Sequence, residues 1–319
     1  MNIKIFFIII LIIILKRKIM INHFINKDFQ EIFIDDKYRK LNHIKKKGIY
    51  TSHEKCYNSF VNPNLRIIHF IITRFIIEFW KINNYHKKIY TKDYIINGIR
   101  VMKKYLIPSL EYQSCKDFIW ILMLGNRVNL SDIENLADFN TSFKYKILNI
   151  NSVKKYMRDS SKLFDILITT RIDYDDRIYY DAVNDVRKAI NINRPLILYG
   201  YNRGVYYFET DDKYYEFYNN FNNTGTMSIF CSLIIVLNKV NDTYNIYDLG
   251  GHPTVRKQLL ESYRLFGVKK LNYDPGIFDN GSPKFVWVRQ KFSGMNYQNW
   301  LQNNSTKEIN FNLNSFYGK

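Results

Sequence analysis

The chain has 319 residues, 46% hydrophobic and 17% aromatic, with 47 Lys and Arg against 29 Asp and Glu, for a formal charge of +18. This apolar content suffices for one large domain or two small ones and excludes a wholly disordered chain. The positive excess is spread along the sequence rather than gathered into an arm or repeat, so it favours anionic partners (nucleotides, membrane surfaces, nucleic acid) without choosing among them.

The first element is an apolar run over residues 5–15, bounded by Lys4 and by Lys16, Arg17 and Lys18. As a helix it would rise only about 16 Å, short of the roughly 30 Å of a bilayer core, and lengthening it would pull the basic cluster into hydrocarbon. Residues 1–20 therefore read as a signal-like or interfacial anchor, with a spanning anchor or a terminal element packed on the domain as alternatives. Membrane association through this segment is one expectation for location; a cytoplasmic protein is the other. Residues 21–65 are polar and basic, without a strong period, and read as a stem or peripheral region. Cys56, Cys115 and Cys231 show neither metal-ligand spacing nor a disulfide framework, so ordinary buried thiols are expected.

Regular structure starts at residues 66–72, a run of strand length and composition that ends in Thr73-Arg74-Phe75. Ile95, Ile99, Met102 and Leu106 recur at helical spacing over 93–106, and Pro108 supplies the stop. Residues 118–124 are continuously apolar, as a strand covered on both faces would be. Ser131 and Glu134 form a candidate capping box. A strand near 143–148, a helix near 153–163 and a strand at 164–170 complete a β/α alternation that favours an open, doubly wound α/β sheet with helices on both faces. Beyond a helix over 179–190, short strands at 196–199, 205–208 and 232–236 suggest a mixed or antiparallel extension. A helix over 253–266 follows Gly250-Gly251-His252, and residues 301–319 form a peripheral tail.

The strand at 164–170 empties into Arg171-Ile172-Asp173-Tyr174-Asp175-Asp176. Crowded carboxylates repel one another unless a proton or cation neutralises them, and a hard divalent ion carrying a phosphate would do so. In an extended segment Asp173 and Asp175 project to one side, and Asp176 could reach the same ion through a turn. Arg171 could grip phosphate bidentately or hold an aspartate in place. A plain solvated turn is the bland alternative. Arg74, on the same sheet edge, could contact a nucleotide or its diphosphate, or support the loop by a salt bridge; Thr73 could donate to phosphate or base. His252 could complete a metal site or be a structural loop histidine. Asp248 could be a general base or an ordinary loop residue. Ser293 and Asn296 could bind sugar or phosphate, or sit in a hairpin turn.

Three segments together resemble the rhamnosyltransferase family of metal-dependent GT-A-type glycosyltransferases. They are Ile72-Thr73-Arg74-Phe75, Pro108-Ser109-Leu110-Glu111-Tyr112-Gln113 ahead of Asp117-Phe118-Ile119-Trp120, and Arg171-Ile172-Asp173-Tyr174-Asp175-Asp176, where Ile172 replaces the family's leucine. The resemblance covers about residues 66–300 and implies a GT-A-like catalytic domain. It also implies a nucleotide-sugar donor, Mn2+ or Mg2+ held at Asp173 to Asp176, and a glycan, lipid or protein acceptor hydroxyl. It implies no specific nucleic-acid partner. The family's closing Trp segment often carries a histidine before its glycine turn; here Phe292 stands near that point. Two rival readings of the same residues are a metal-dependent phosphotransferase or nuclease, and a non-enzymatic basic module that binds membranes or nucleic acid.

Overall fold

Unbroken apolar runs build the centre of the main sheet. In the computed structural model, which describes residues 56, 65–77, 90–218, 230–250, 255–271, 273, 275–279, 283–289 and 307–318, four strands pair in parallel: β1 (Ile67–Phe75), β2 (Ile119–Leu124), β3 (Lys144–Asn149) and β4 (Ile166–Arg171). Every residue of β2 and β4 is buried, as is every residue of β1 except Arg74, so both faces of these strands are covered. The anchor segment, nearly all of the stem, His252, Ser293 and Asn296 lie outside the described residues. Among those described, no helix is long and apolar enough to cross a membrane.

Beyond β4 the sheet continues through β9 (Cys231–Val236), β6 (Leu196–Tyr201) and β10 (Gly276–Asp279), giving the order β10-β6-β9-β4-β1-β2-β3. Only β9 is antiparallel to its neighbours. The result is an open, mixed α/β sheet flanked by helices, GT-A-like as expected. A second sheet has the order β12-β8-β7-β11-β5, made of β5 (Arg177–Ile178), β7 (Arg203–Phe208), β8 (Lys213–Tyr218), β11 (Phe285–Arg289) and β12 (Glu308–Ile309). The chain passes from the first sheet to the second at residues 172–176, the acidic loop, and again at Asn202.

Several local expectations shift. Helix α1 (Lys92–Lys104) starts at Thr91, whose hydroxyl accepts the Tyr94 N–H, and buries Ile99 and Met102. It ends before Pro108, which sits in the first turn of a separate short helix, α2 (Leu106–Glu111), where a missing N–H costs nothing. Gly98 lets α1 approach β1: a Cβ there would lie 2.3 Å from the Phe75 ring. Helix α3 (Leu130–Leu136) is capped by Asn129, not by Ser131; the Asn129 Oδ1 accepts the Ser131 N–H. Helix α4 (Ile150–Ser161) follows β3 directly, and α5 (Ala182–Lys188) follows the acidic loop.

The cysteine expectation is overturned for one pair. Cys56 and Cys115 form a disulfide across 59 positions, tying the segment before β1 to the segment before β2. Neither spacing nor neighbours mark such a pair in sequence, because only the fold brings the two together. Cys231 is a free buried thiol, as expected, and burial pushes its pKa up to about 12.

Candidate functional site

In a parallel sheet the carboxyl ends of neighbouring strands share one rim, where α/β proteins collect ligand-binding side chains. Here β1 and β4 are adjacent, with Ile72 opposite Arg171, and the Ile172 N–H still donates to the Ile72 carbonyl at 3.1 Å. Strand alternation then separates two expected ligands. Thr73 is fully buried, and its hydroxyl accepts the Trp120 indole N–H at 2.9 Å, which takes it out of reach of a phosphate or base. Arg74 points the other way, with its side chain 20% exposed and Nη2 3.9 Å from the Asp173 carboxylate.

The acidic loop is a turn, not an extended segment: the Asp176 N–H donates to the Asp173 carbonyl at 3.3 Å. Tyr174 packs on Phe75 with ring centroids 5.4 Å apart, pinning the loop to the end of β1. Asp173 and Asp175 are half-buried at the rim. Asp176 is placed differently from the expectation. It is 2% exposed, and its Oδ1 accepts the backbone N–H of Val288 on β11, so it anchors the loop to the second sheet. Among the described residues no group of three or more His, Cys, Asp or Glu is arranged to hold a metal ion.

Arg171 is fully buried. Its Nη1 donates to the Gly250 carbonyl at 3.2 Å, and its guanidinium lies 4.6 Å from the centroid of the Tyr247 ring. Arg74 lies over the same ring at 4.4 Å. Two cations thus share the negative face density of one tyrosine, whose hydroxyl donates to the Ile72 carbonyl at 3.2 Å. Burial first, and then the charge of Asp173, holds the Tyr247 pKa above its ordinary value, keeping that hydroxyl a donor.

Tyr247 is held by a 3-10 turn (Ile246–Leu249) fastened to β4, where the Thr169 hydroxyl accepts the Ile246 N–H at 3.0 Å. Asp248, the candidate general base, is part of that fastening: its carboxylate accepts the Asn245 N–H at 2.8 Å, while Asn245 Oδ1 accepts the Tyr247 N–H at 2.8 Å. Gly250 then leaves the turn at φ +85°, a conformation that suits glycine.

Two sets of contacts around the acidic loop carry no local sequence signal. Tyr247 has no local signal, since its partners are 76 and 173 positions away. Gln113 closes the Pro-Ser-Leu-x-x-Gln stretch and is buried. Its amide donates to the Tyr179 carbonyl at 2.7 Å and accepts the Val183 N–H at 3.1 Å, joining α2 to the segment that follows the acidic loop.

The family model described as "Putative rhamnosyl transferase" matches residues 70–250, more than half of the chain. The chain belongs to that family, and the match spans every rim residue from Arg74 to Gly250. No curated protein sequence matches. Among solved structures, similarity is seen to S. aureus TarS 1-349, at 12% identity and TM-score 0.36 over 69% of this chain and 60% of that one. It is also seen to the inositol-1-phosphate CTP transferase from T. maritima, at 8% identity and TM-score 0.33 over 73% and 94%, and to HddC from Yersinia pseudotuberculosis, at 11% identity and TM-score 0.31 over 70% and 93%. The chain thus spans about 60% of the TarS fragment's length. The family match makes it a member of a transferase family with a GT-A-like fold.

Proposed function

We propose that the protein is a glycosyltransferase that moves a sugar from a nucleotide-sugar donor to an acceptor hydroxyl. The observation that carries this reading is the meeting of Arg74 and Asp173 at the rim beside Tyr247, with Asp175 half-buried in the same turn, inside the matched family region. Asp173 and Asp175 offer the hard oxygen donors that Mn2+ or Mg2+ needs; a diphosphate-bound ion takes only one or two protein carboxylates, because phosphates and water fill the rest of its shell. When bound, such an ion supplies charge stabilisation to the departing diphosphate.

The chain's own residues do the remainder. Arg74 presents its guanidinium at the rim to the diphosphate, held in place by the Tyr247 ring and Asp173. Arg171, buried, positions Tyr247 and the Gly250 carbonyl instead of touching the donor. Asp176 fixes the loop so that Asp173 and Asp175 are presented with little ordering cost on binding. Asp248, the candidate general base, caps its own turn through the Asn245 N–H.

The test is a panel of nucleotide sugars titrated with Mn2+, Mg2+ or a chelator, recording both binding and donor hydrolysis. Selective, metal-dependent binding of one donor class is expected, and the panel identifies the sugar. Equal binding with and without chelator would reject the metal role; turnover of nucleic acid without any sugar donor would reject glycosyl transfer.

A further inference from the structure

A second recess lies on the second sheet, away from the rim. Residues 209–212 turn β7 into β8, and β12 pairs antiparallel along the outer edge of β8, with Ile309 opposite Tyr214. Here an open cleft of about 510 Å³ is lined chiefly by Asp212, Lys213, Tyr214, Glu308, Asn310 and Phe311. From β8 to β5, the strand that the acidic loop feeds, there are three strand spacings, about 14 Å. The cleft and the acidic loop are therefore separate places.

Its chemistry is mixed in a particular way. Tyr214 and Phe311, both half-buried, supply the aromatic part of a mainly polar lining, their ring centroids 5.1 Å apart at an interplanar angle of 38°. The rings continue into the buried cluster beneath: Phe311 meets Phe316 at 5.4 Å, Phe316 meets Tyr317 at 5.6 Å, and Tyr317 meets Tyr112 at 4.9 Å. The rim is polar and partly fixed. Asp212 adopts φ +51°, and its Oδ1 accepts the Tyr207 hydroxyl at 2.9 Å, while Lys213 pairs with Glu308 at 2.9 Å. Asn310, exposed, adds an amide that can both donate and accept.

Charge decides what this cleft suits. Along the lining two carboxylates stand against one ammonium, with the Arg177 guanidinium behind Tyr214, so the cleft has no positive excess to draw anions, in a chain whose formal charge is +18. An anionic ligand such as a nucleotide, nucleic acid or acidic lipid would be drawn elsewhere on this surface. A neutral ligand with one apolar face and a hydroxyl-bearing edge matches two aromatic rings with a carboxylate and amide rim. We infer that the cleft between β8 and β12 binds a neutral saccharide, whose ring stacks on Tyr214 and Phe311 and whose hydroxyls bond to Asp212 and Asn310. This goes beyond the reaction proposed above and does not depend on it.

An array of short neutral oligosaccharides probed with the full chain, followed by calorimetry on the strongest binder, tests the assignment. Wild-type protein is expected to bind. Phe311→Ala should lose tenfold or more in affinity and Asn310→Ala several-fold, while Asp175→Ala, at the separate rim, should bind as the wild type does. Phe311 packs on neighbouring apolar residues, so thermal melts accompany each variant; the exposed Asn310 gives the deciding substitution if Phe311→Ala fails to fold. Absence of binding across the array, binding undisturbed by Asn310→Ala, or capture of peptides instead of saccharides at these residues would overturn the inference.

Discussion

Arg171 and Arg177 are both buried and both stacked on tyrosine: Arg171 lies 4.6 Å from the Tyr247 ring, Arg177 4.6 Å from Tyr105 and 5.6 Å from Tyr207. They stand at opposite ends of the acidic loop and face different surroundings. Arg171 closes the last position of β4 behind half-buried carboxylates at an open rim. Arg177 sits beside an apolar cluster of Tyr105, Val205, Tyr207, Val286, Val288 and Phe316, and its Nε and Nη1 have no hydrogen-bond partner among the described residues. A buried guanidinium on an aromatic ring is thus a general device for carrying charge into a core. Its position relative to the sheet rim sets which elements it holds in place.

The two sheets are held by different means, and the largest expected effect comes from that difference. The first carries the Cys56–Cys115 link. Removing it with Cys115→Ser is expected to cost about 4 kcal/mol, from the entropy of a loop of that length, measured by urea unfolding under oxidising conditions. The second sheet packs around Arg177, and Arg177→Ala should lower stability by about 2 kcal/mol through lost packing on Tyr105 and Tyr207 while nucleotide-sugar affinity stays within about twofold of the wild type. A loss of donor affinity in Arg177→Ala equal to that in Arg171→Ala would erase the contrast between the two arginines.

Smaller effects sharpen the picture of the rim. Thr73→Val strands the Trp120 indole N–H and should cost about 2 kcal/mol with no change in donor affinity. Arg74→Ala should do the reverse, weakening donor binding with little loss of stability, and a calorimetric titration of both variants separates them.

A further effect is one of pH, small within about half a unit of neutrality. The first sheet contains a polar thread, in which His69 Nε2 lies 2.7 Å from the Thr170 hydroxyl and that hydroxyl 2.6 Å from Ser232. Burial first, and then nearby Arg187, holds the His69 pKa well below its ordinary value. The folded state therefore keeps the imidazole neutral where the unfolded chain takes up a proton. Stability from this source is complete above about pH 6.5 and falls as pH drops below it, by at most about 1.4 kcal/mol per unit. His69→Gln should flatten that limb of the stability profile.

The central strands were legible because their apolar runs are longer than any one-sided sheet needs. The two-residue strands β5 and β12 were not, since pairing across long separations, not local composition, makes them strands. The rim itself was readable in outline. Arg74 and Asp173 could be placed together from strand ends alone, and period-2 alternation already puts Thr73 on the opposite side from Arg74. The turn at Asp173–Asp176 could not be foreseen from residues that also suit an extended segment, and it is this turn that sends Asp176 into the second sheet. The cap at Asn129 shows the same limit on a small scale, because Asn129 and Ser131 are both good capping residues and only the path of the chain selects one.

The central claim is that the rim of the first sheet, and not the second sheet's buried arginine, holds the donor. Calorimetric titration of a bound nucleotide sugar into wild type, Asp175→Ala and Arg177→Ala, each with Mn2+ and with chelator, tests it most directly. The account predicts that Asp175→Ala behaves with Mn2+ as the wild type does under chelation, and that Arg177→Ala keeps its metal-dependent affinity. Undiminished metal-dependent binding by Asp175→Ala would contradict it.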